Sequence, residues 1–183
     1  MLADFSGGSQ QLTGVRFSTV GSSPHPCRTD FADIDRDGLE DVIIADLGSF
    51  QPRDHRDGTV SVLLRTKDGG IQQHLLADEL GRVSDVRAHD FDGDQDIDVL
   101  VGVFGWQHTG RLLWLENQTE GPMKNGKPVF IKHEIDKRTG LIHAPLADFN
   151  GDGKMDFLAQ FSQEHEKVVL FEAPGYLLRR QDH

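Results

Sequence analysis

Short apolar runs recur along the chain, each bounded by polar and glycine-rich segments. VIIA from Val42, VLVGV from Val99 and FLAQF from Phe157 are rich in β-branched and aromatic residues and too short for helices, so they read as buried strands. A second set, TVSVLLR from Thr59, RLLWLE from Arg111 and KVVLFE from Lys167, follows each run. IQQHLL from Ile71 and VFIKHEI from Val129 follow the first two of these, and RTDFA, VRAH and HAPLA precede the three apolar runs. The pattern predicts four strands per unit, A to D, with GVRFSTV at residues 14–20 as an outer strand of a preceding or junction unit. The third unit has no D strand, so the pattern adds up to twelve strands of an all-β fold.

Between strands A and B of each unit lies an acidic nonapeptide: DIDRDGLED at 33–41, DFDGDQDID at 90–98 and DFNGDGKMD at 148–156. The loop recurs after 57 and then 58 residues, a period that marks an array of supersecondary units, each unable to bury its apolar face alone. The shared form is DxDxDGxxD, with Asn150 as its one neutral acidic-position residue and Gln95 where the other copies hold Gly38 and Gly153. If that sixth position needs left-handed backbone, glutamine there is strained by about 1 kcal/mol.

Carboxylates packed this closely repel unless they are solvated, protonated or neutralised by a cation. Asp, Asn and Gly also make good turns by themselves, so a single copy would not separate a turn from a metal loop. Three copies with the same four-point spacing favour the metal. An oxygen-rich set without His or Cys suits Ca²⁺ better than Mg²⁺ or a transition metal. The expected ligands are Asp33, Asp35, Asp37 and Asp41; Asp90, Asp92, Asp94 and Asp98; and Asp148, Asn150, Asp152 and Asp156. Leu39, Asp96 and Lys154 would add position-seven carbonyls, and Asp96 also a charge. An EF-hand is excluded, because position twelve is Ile44, Val101 or Ala159 instead of glutamate and a strand follows instead of a helix.

The 183 residues carry 30 Asp and Glu against 19 Lys and Arg, a net charge of −11. Eleven acids fill positions 1, 3, 5 and 9 of the loops, and the remaining 19 match the basic residues, so the whole imbalance sits in the loops. An acidic chain of this kind argues against nucleic acid as a partner. With one cysteine, Cys27, there is neither a disulfide framework nor a Cys-based zinc site. No apolar run approaches the ~18 residues of a membrane span, and MLADFSGGSQ is not a signal peptide, so any export signal is expected outside the chain. GxSxG, P-loop and HExxH motifs are absent.

GRVSDVRAHDFDGDQDIDVLVGVFG followed by GRLLWLEN, and LADFNGDGKMDFLAQ followed by KVVLFEA, resemble FG-GAP repeats, the VCBS-type units of integrin α-subunit propellers and many secreted bacterial proteins. The resemblance implies one propeller region over residues 1–183, of about three blades, with up to three structural Ca²⁺ ions in the A-to-B loops. The FG dipeptide itself is clear only at Phe104 and Gly105. A propeller has four to eight blades, so the chain reads as part of a larger ring, or as a protomer that closes one with a second copy.

In such a blade the B-to-C and D-to-A loops share the rim opposite the cations. His55, His108 and His165 fall in the former, and His25, Arg82 and His143 in the latter; with Trp106 they form a candidate ligand-binding face. Asn117 opens an NQT glycosylation pattern. The expected function is an extracellular or periplasmic module binding a protein or glycan; the alternative is the propeller of a secreted enzyme acting on polysaccharides or using a quinone.

Overall fold

The computed structural model describes residues 18–119, 126–163 and 166–172. They form three sheets of four antiparallel strands and no helix. The first runs β1 (Pro26–Ala32), β2 (Asp41–Asp46), β3 (Gly58–Arg65) and β4 (Ile71–Leu80) in order. The second repeats this with β5 (Val83–His89), β6 (Asp98–Val103), β7 (Arg111–Asn117) and β8 (Phe130–Asp136). In the third, β9 (Leu141–His143) and β10 (Leu146–Ala147) both pair with β11 (Asp156–Phe161), which pairs with β12 (Lys167–Phe171). The first two sheets are four-stranded up-and-down blades, and the third holds the A, B and C strands without a D strand among the described residues, as the repeat pattern predicts.

Three details differ from the sequence reading. The third A strand is split in two: Pro145 has no N–H for the ladder, and its carbonyl instead accepts from the Leu158 amide at 3.1 Å. β4 extends to Leu80, beyond the predicted IQQHLL, because a register shift opposite Gly58 and Val60 accommodates extra residues with Glu79 at φ 54°. The expected outer strand at 14–20 falls on residues 14–17 outside the described residues, and residues 18–20 are not strand.

The blades stack face to face, and the middle one shows why its B strand is apolar throughout. Successive side chains of a strand point to opposite faces. Val99, Val101 and Val103 of β6 pack on Ile43, Ala45, Val60 and Val62 of the first sheet, whereas Leu100 packs with Leu141, Phe157, Ala159 and Phe161 of the third. All six β6 residues are buried. Gly102 permits the close approach to the third sheet, since a Cβ there would lie 2.3 Å from Leu141 Cδ2. The D strands β4 and β8 carry mostly exposed or half-buried residues, as suits an outer edge.

Phe157, 2 % exposed, lies in the apolar cluster that the second and third blades share, with Leu100, Leu112 and Leu141, and stacks on Phe171 of its own sheet at 4.9 Å. Phe157→Ala is expected to destabilise the fold by about 3–5 kcal/mol through lost burial and a residual cavity, measured by chemical denaturation.

Candidate functional site

Each acidic loop closes on itself through side-chain-to-backbone hydrogen bonds, and the three copies repeat one scheme. The first carboxylate accepts the amide of the sixth residue: Gly38 to Asp33 at 2.9 Å, Gln95 to Asp90 at 3.0 Å and Gly153 to Asp148 at 3.0 Å. The third residue accepts the amide of the fifth: Asp37 to Asp35 at 3.2 Å, Asp94 to Asp92 at 3.1 Å and Asp152 to Asn150 at 2.9 Å. The fifth accepts the amide of the seventh: Leu39 to Asp37 at 2.8 Å, Asp96 to Asp94 at 3.0 Å and Lys154 to Asp152 at 2.9 Å. These Asx-type bonds turn the loop and draw its carboxylates together.

The ninth carboxylate has a different task. Asp41, Asp98 and Asp156 have no solvent exposure, and each accepts the amide of the second loop residue: Ile34 at 2.9 Å, Phe91 at 3.2 Å and Phe149 at 3.0 Å. The other oxygen of Asp41 takes the Arg65 amide at 2.8 Å, and that of Asp98 takes the Asn117 amide at 2.8 Å. One buried side chain thus ties the loop to the ends of strands B and C. Burial, outweighing these amide bonds, pushes the Asp41 carboxyl up to about 6 and that of Asp98 up to about 7. Asp35 and Asp92 are also raised, mainly by burial, with neighbouring loop carboxylates adding to the shift.

Two groups of carboxylate oxygens lie within 4.8 Å of one another: Asp33, Asp35 and Asp37 in the first loop, and Asp90, Asp92 and Asp98 in the second. Their oxygens keep lone pairs beyond those given to the amides, a donor set suited to a hard cation such as Ca²⁺. The backbone is left-handed at two positions per loop, the fourth (Arg36, Gly93, Gly151) and the sixth (Gly38, Gln95, Gly153). Gln95 at φ 74° carries the strain its sequence position suggested; Arg36 at φ 56° is a second case that the nonapeptide alignment did not single out. Arg36 gains a compensating bond to the Thr119 carbonyl at 2.7 Å, which fastens the first loop to the second blade.

The opposite rim is also joined across blades. Asp54 accepts from the amides of Gln107, His108 and Thr109 at 3.1–3.2 Å and from the Thr109 hydroxyl at 2.8 Å. Burial is the largest single influence and opposes its ionisation, but the hydrogen bonds together outweigh it and hold the carboxyl below the ordinary range. Arg82 lies over Phe104 and Trp106, 4.9 and 5.1 Å from the ring centroids, with Nε donating to the Gly105 carbonyl at 2.9 Å. His55 is buried, with Nδ1 accepting the Asp57 amide at 3.2 Å, while His108 is exposed and His25 meets Phe50 edge-on at 4.7 Å. His55 Nε2 and Arg82 Nη2 are buried polar atoms without a partner among the described residues. His165 lies outside the described residues.

His143 lies apart from these, with Arg28, Asp85 and Arg87 on the first strands of the blades. Those three residues lie outside the acidic loops, and apart from the Asp85–Arg87 pair their contacts with one another and with His143 span more than fifty residues, so no local sequence signal marks the cluster. Asn117 cannot serve as a glycan acceptor in this fold: it is 1 % exposed, and Nδ2 donates to the Ile97 carbonyl at 3.1 Å.

The family model for the FG-GAP-like repeat matches residues 33–101 and again residues 90–159, each window opening at the first aspartate of an acidic loop. No curated protein matches the chain.

Three outcomes are expected. Asp98→Ala strips the acceptor from the buried Asn117 amide and the half-buried Phe91 amide and destabilises the metal-free protein by roughly 2–5 kcal/mol, as denaturation will show. Gln95→Gly removes left-handed strain and raises stability by up to about 1 kcal/mol. The third concerns pH. Unfolded carboxyls titrate near 3.8, whereas folded Asp41 and Asp98 hold protons to about 6 and 7. Between those limits the folded state binds more protons than the unfolded one, so metal-free stability falls as pH rises from about 4 to 7. Melting in chelator across this range measures the slope, and a flat or rising curve would contradict it.

Proposed function

The chain belongs to the FG-GAP-like repeat family, and on that premise we propose that it is a calcium-stabilised propeller module working outside the cell. Its repeats are of a kind typical of extracellular proteins. One observation carries the calcium reading: carboxylate oxygens from positions far apart in the loop lie within 4.8 Å of one another without a basic side chain paired to them among the described residues. Ca²⁺ would relieve their repulsion and join the end of strand A to the start of strand B. Asp33, Asp35 and Asp37, and Asp90, Asp92 and Asp98, are the side chains that would hold it. Asp148, Asn150 and Asp152 offer the third loop an equivalent set with one less charge. The carbonyls of Leu39, Asp96 and Lys154 are proposed as additional ligands.

The module's partner is proposed to be a protein or glycan that docks on the rim away from the cations. Supporting this are the orphaned donors of His55 and Arg82, the half-buried Trp106 beside that guanidinium, and the exposed His108 in the adjoining loop. Burial lowers the Arg82 pKa, with Asp54 acting in the opposite direction.

Calcium added to chelated protein is expected to raise the melting temperature by several degrees at pH 7.5 and by less at pH 5, because the cation needs ionised carboxylates. Asp92→Asn keeps the acceptor for the Asp94 amide, as Asn150 does in the third loop, so it should weaken calcium binding while leaving metal-free melting nearly unchanged. Equal melting with chelator and with saturating calcium would end the proposal.

A further inference from the structure

Apart from the acidic loops and the rim, one cluster of charge is built where the first strands of the three blades converge. Asp85 of β5 is completely buried. Its Oδ1 accepts no hydrogen bond among the described residues but is ion-paired with Arg28 Nε of β1 at 3.1 Å and with Arg87 Nη2 at 3.2 Å. Its Oδ2 accepts the Ala144 amide at 2.7 Å and Arg87 Nε at 3.3 Å, and lies 3.0 Å from His143 Nδ1. Both guanidinium groups also converge on that imidazole nitrogen, Arg28 Nη2 at 3.1 Å and Arg87 Nη2 at 2.8 Å.

One carboxylate therefore serves two permanent cations. Two other carboxylates of the first blade do not make up the difference. Asp30 gives its oxygens to the amides of Phe31 and Ala88, and Asp46 gives its own to the Ser23 hydroxyl and the amides of His25 and Gly48. Neither is ion-paired with an arginine among the described residues. The surplus positive charge is within reach of solvent, because the side chains of Arg28, Arg87 and His143 are 41, 20 and 27 % exposed. It is the converse of the acidic loops: there excess negative charge is gathered by local turns, and here excess positive charge is gathered by packing.

We propose that Arg28 and Arg87, with His143 as a third contact, form a binding site for a carboxylate-bearing ligand on the inner strands. A guanidinium presents paired N–H donors that match a carboxylate, and each arginine keeps donors beyond those given to Asp85 and His143. Asp85 holds Arg87 by a hydrogen bond and Arg28 by an ion pair, and His143 contacts both, so the two arginines are gathered before a ligand arrives. The site stands independently of calcium in the loops.

The test is a titration of ¹⁵N-labelled protein at constant low ionic strength with sodium acetate, sodium glucuronate and neutral glucose. It is followed through the amides of residues 84–88 and the His143 ring, with calcium and again after chelation. Saturable shifts are expected with acetate or glucuronate at a Kd of about 1 mM. Tighter binding of glucuronate would narrow the ligand to an acidic sugar. Arg28→Gln should weaken binding about tenfold or more, and Arg28→Lys should fall between, since it keeps the charge and loses the fork. Should Arg28→Gln fail to fold, the wild-type titration and Arg28→Lys decide the matter. No saturation with either acid, an equal response to glucose, or unchanged affinity in the variants would overturn the site. A protein that binds acetate yet ignores calcium would sink the calcium reading alone.

Discussion

A buried carboxylate at the mouth of strand B is the contact on which the rest of each repeat depends. Asp41, Asp98 and Asp156 each hold the loop's second amide, and the first two also bind an amide at the end of strand C. That bond sets how the loop leaves one strand and enters the next, and so where the other carboxylates stand. Hydrogen bonds from buried amides to a carboxylate are stronger than neutral ones, and leaving the amides unpaired would be costly. The same burial raises the pKa of Asp41 and Asp98, so those two anchors favour the proton when no cation is near.

Charge is segregated in this small fold. The rim that carries the acidic loops holds the whole net negative charge, whereas the inner strands collect Arg28 and Arg87 around the single carboxylate of Asp85. Neither group neutralises the other. Each is held in place by contacts with the strands around it. Between them lies an apolar stack in which β6 is covered on both faces, so the two regions are fixed relative to one another by packing instead of by loop contacts.

Blade order, the acidic loops and the strand that follows each loop could all be read from the chain. Their signals are local. An alternating or continuous apolar run reports its own burial, and every Asx bond of the loops spans two to seven residues, as from Asp37 to Leu39 or from Ile34 to Asp41. The spacing DxDxDGxxD therefore encodes its own geometry, including the sixth position, where Gln95 does adopt the left-handed backbone. Arg36 is legible by the same comparison, since the other two copies hold Gly93 and Gly151 at the fourth position just as they hold Gly38 and Gly153 opposite Gln95.

What required tertiary structure is whatever joins residues from different repeats. His143 reads as one of a ring of rim histidines, but β9 places it against Asp85 and Arg87, 58 and 56 residues away. Asn117 reads as a surface glycosylation acceptor, yet its amide is spent on the Ile97 carbonyl and its backbone on Asp98. The chain by itself determined the repeated unit, because each unit's turns and strands are stabilised by bonds within it. Only the stacked blades decided which side chains meet across the junctions, because that depends on the angle and offset at which separate sheets bury their faces.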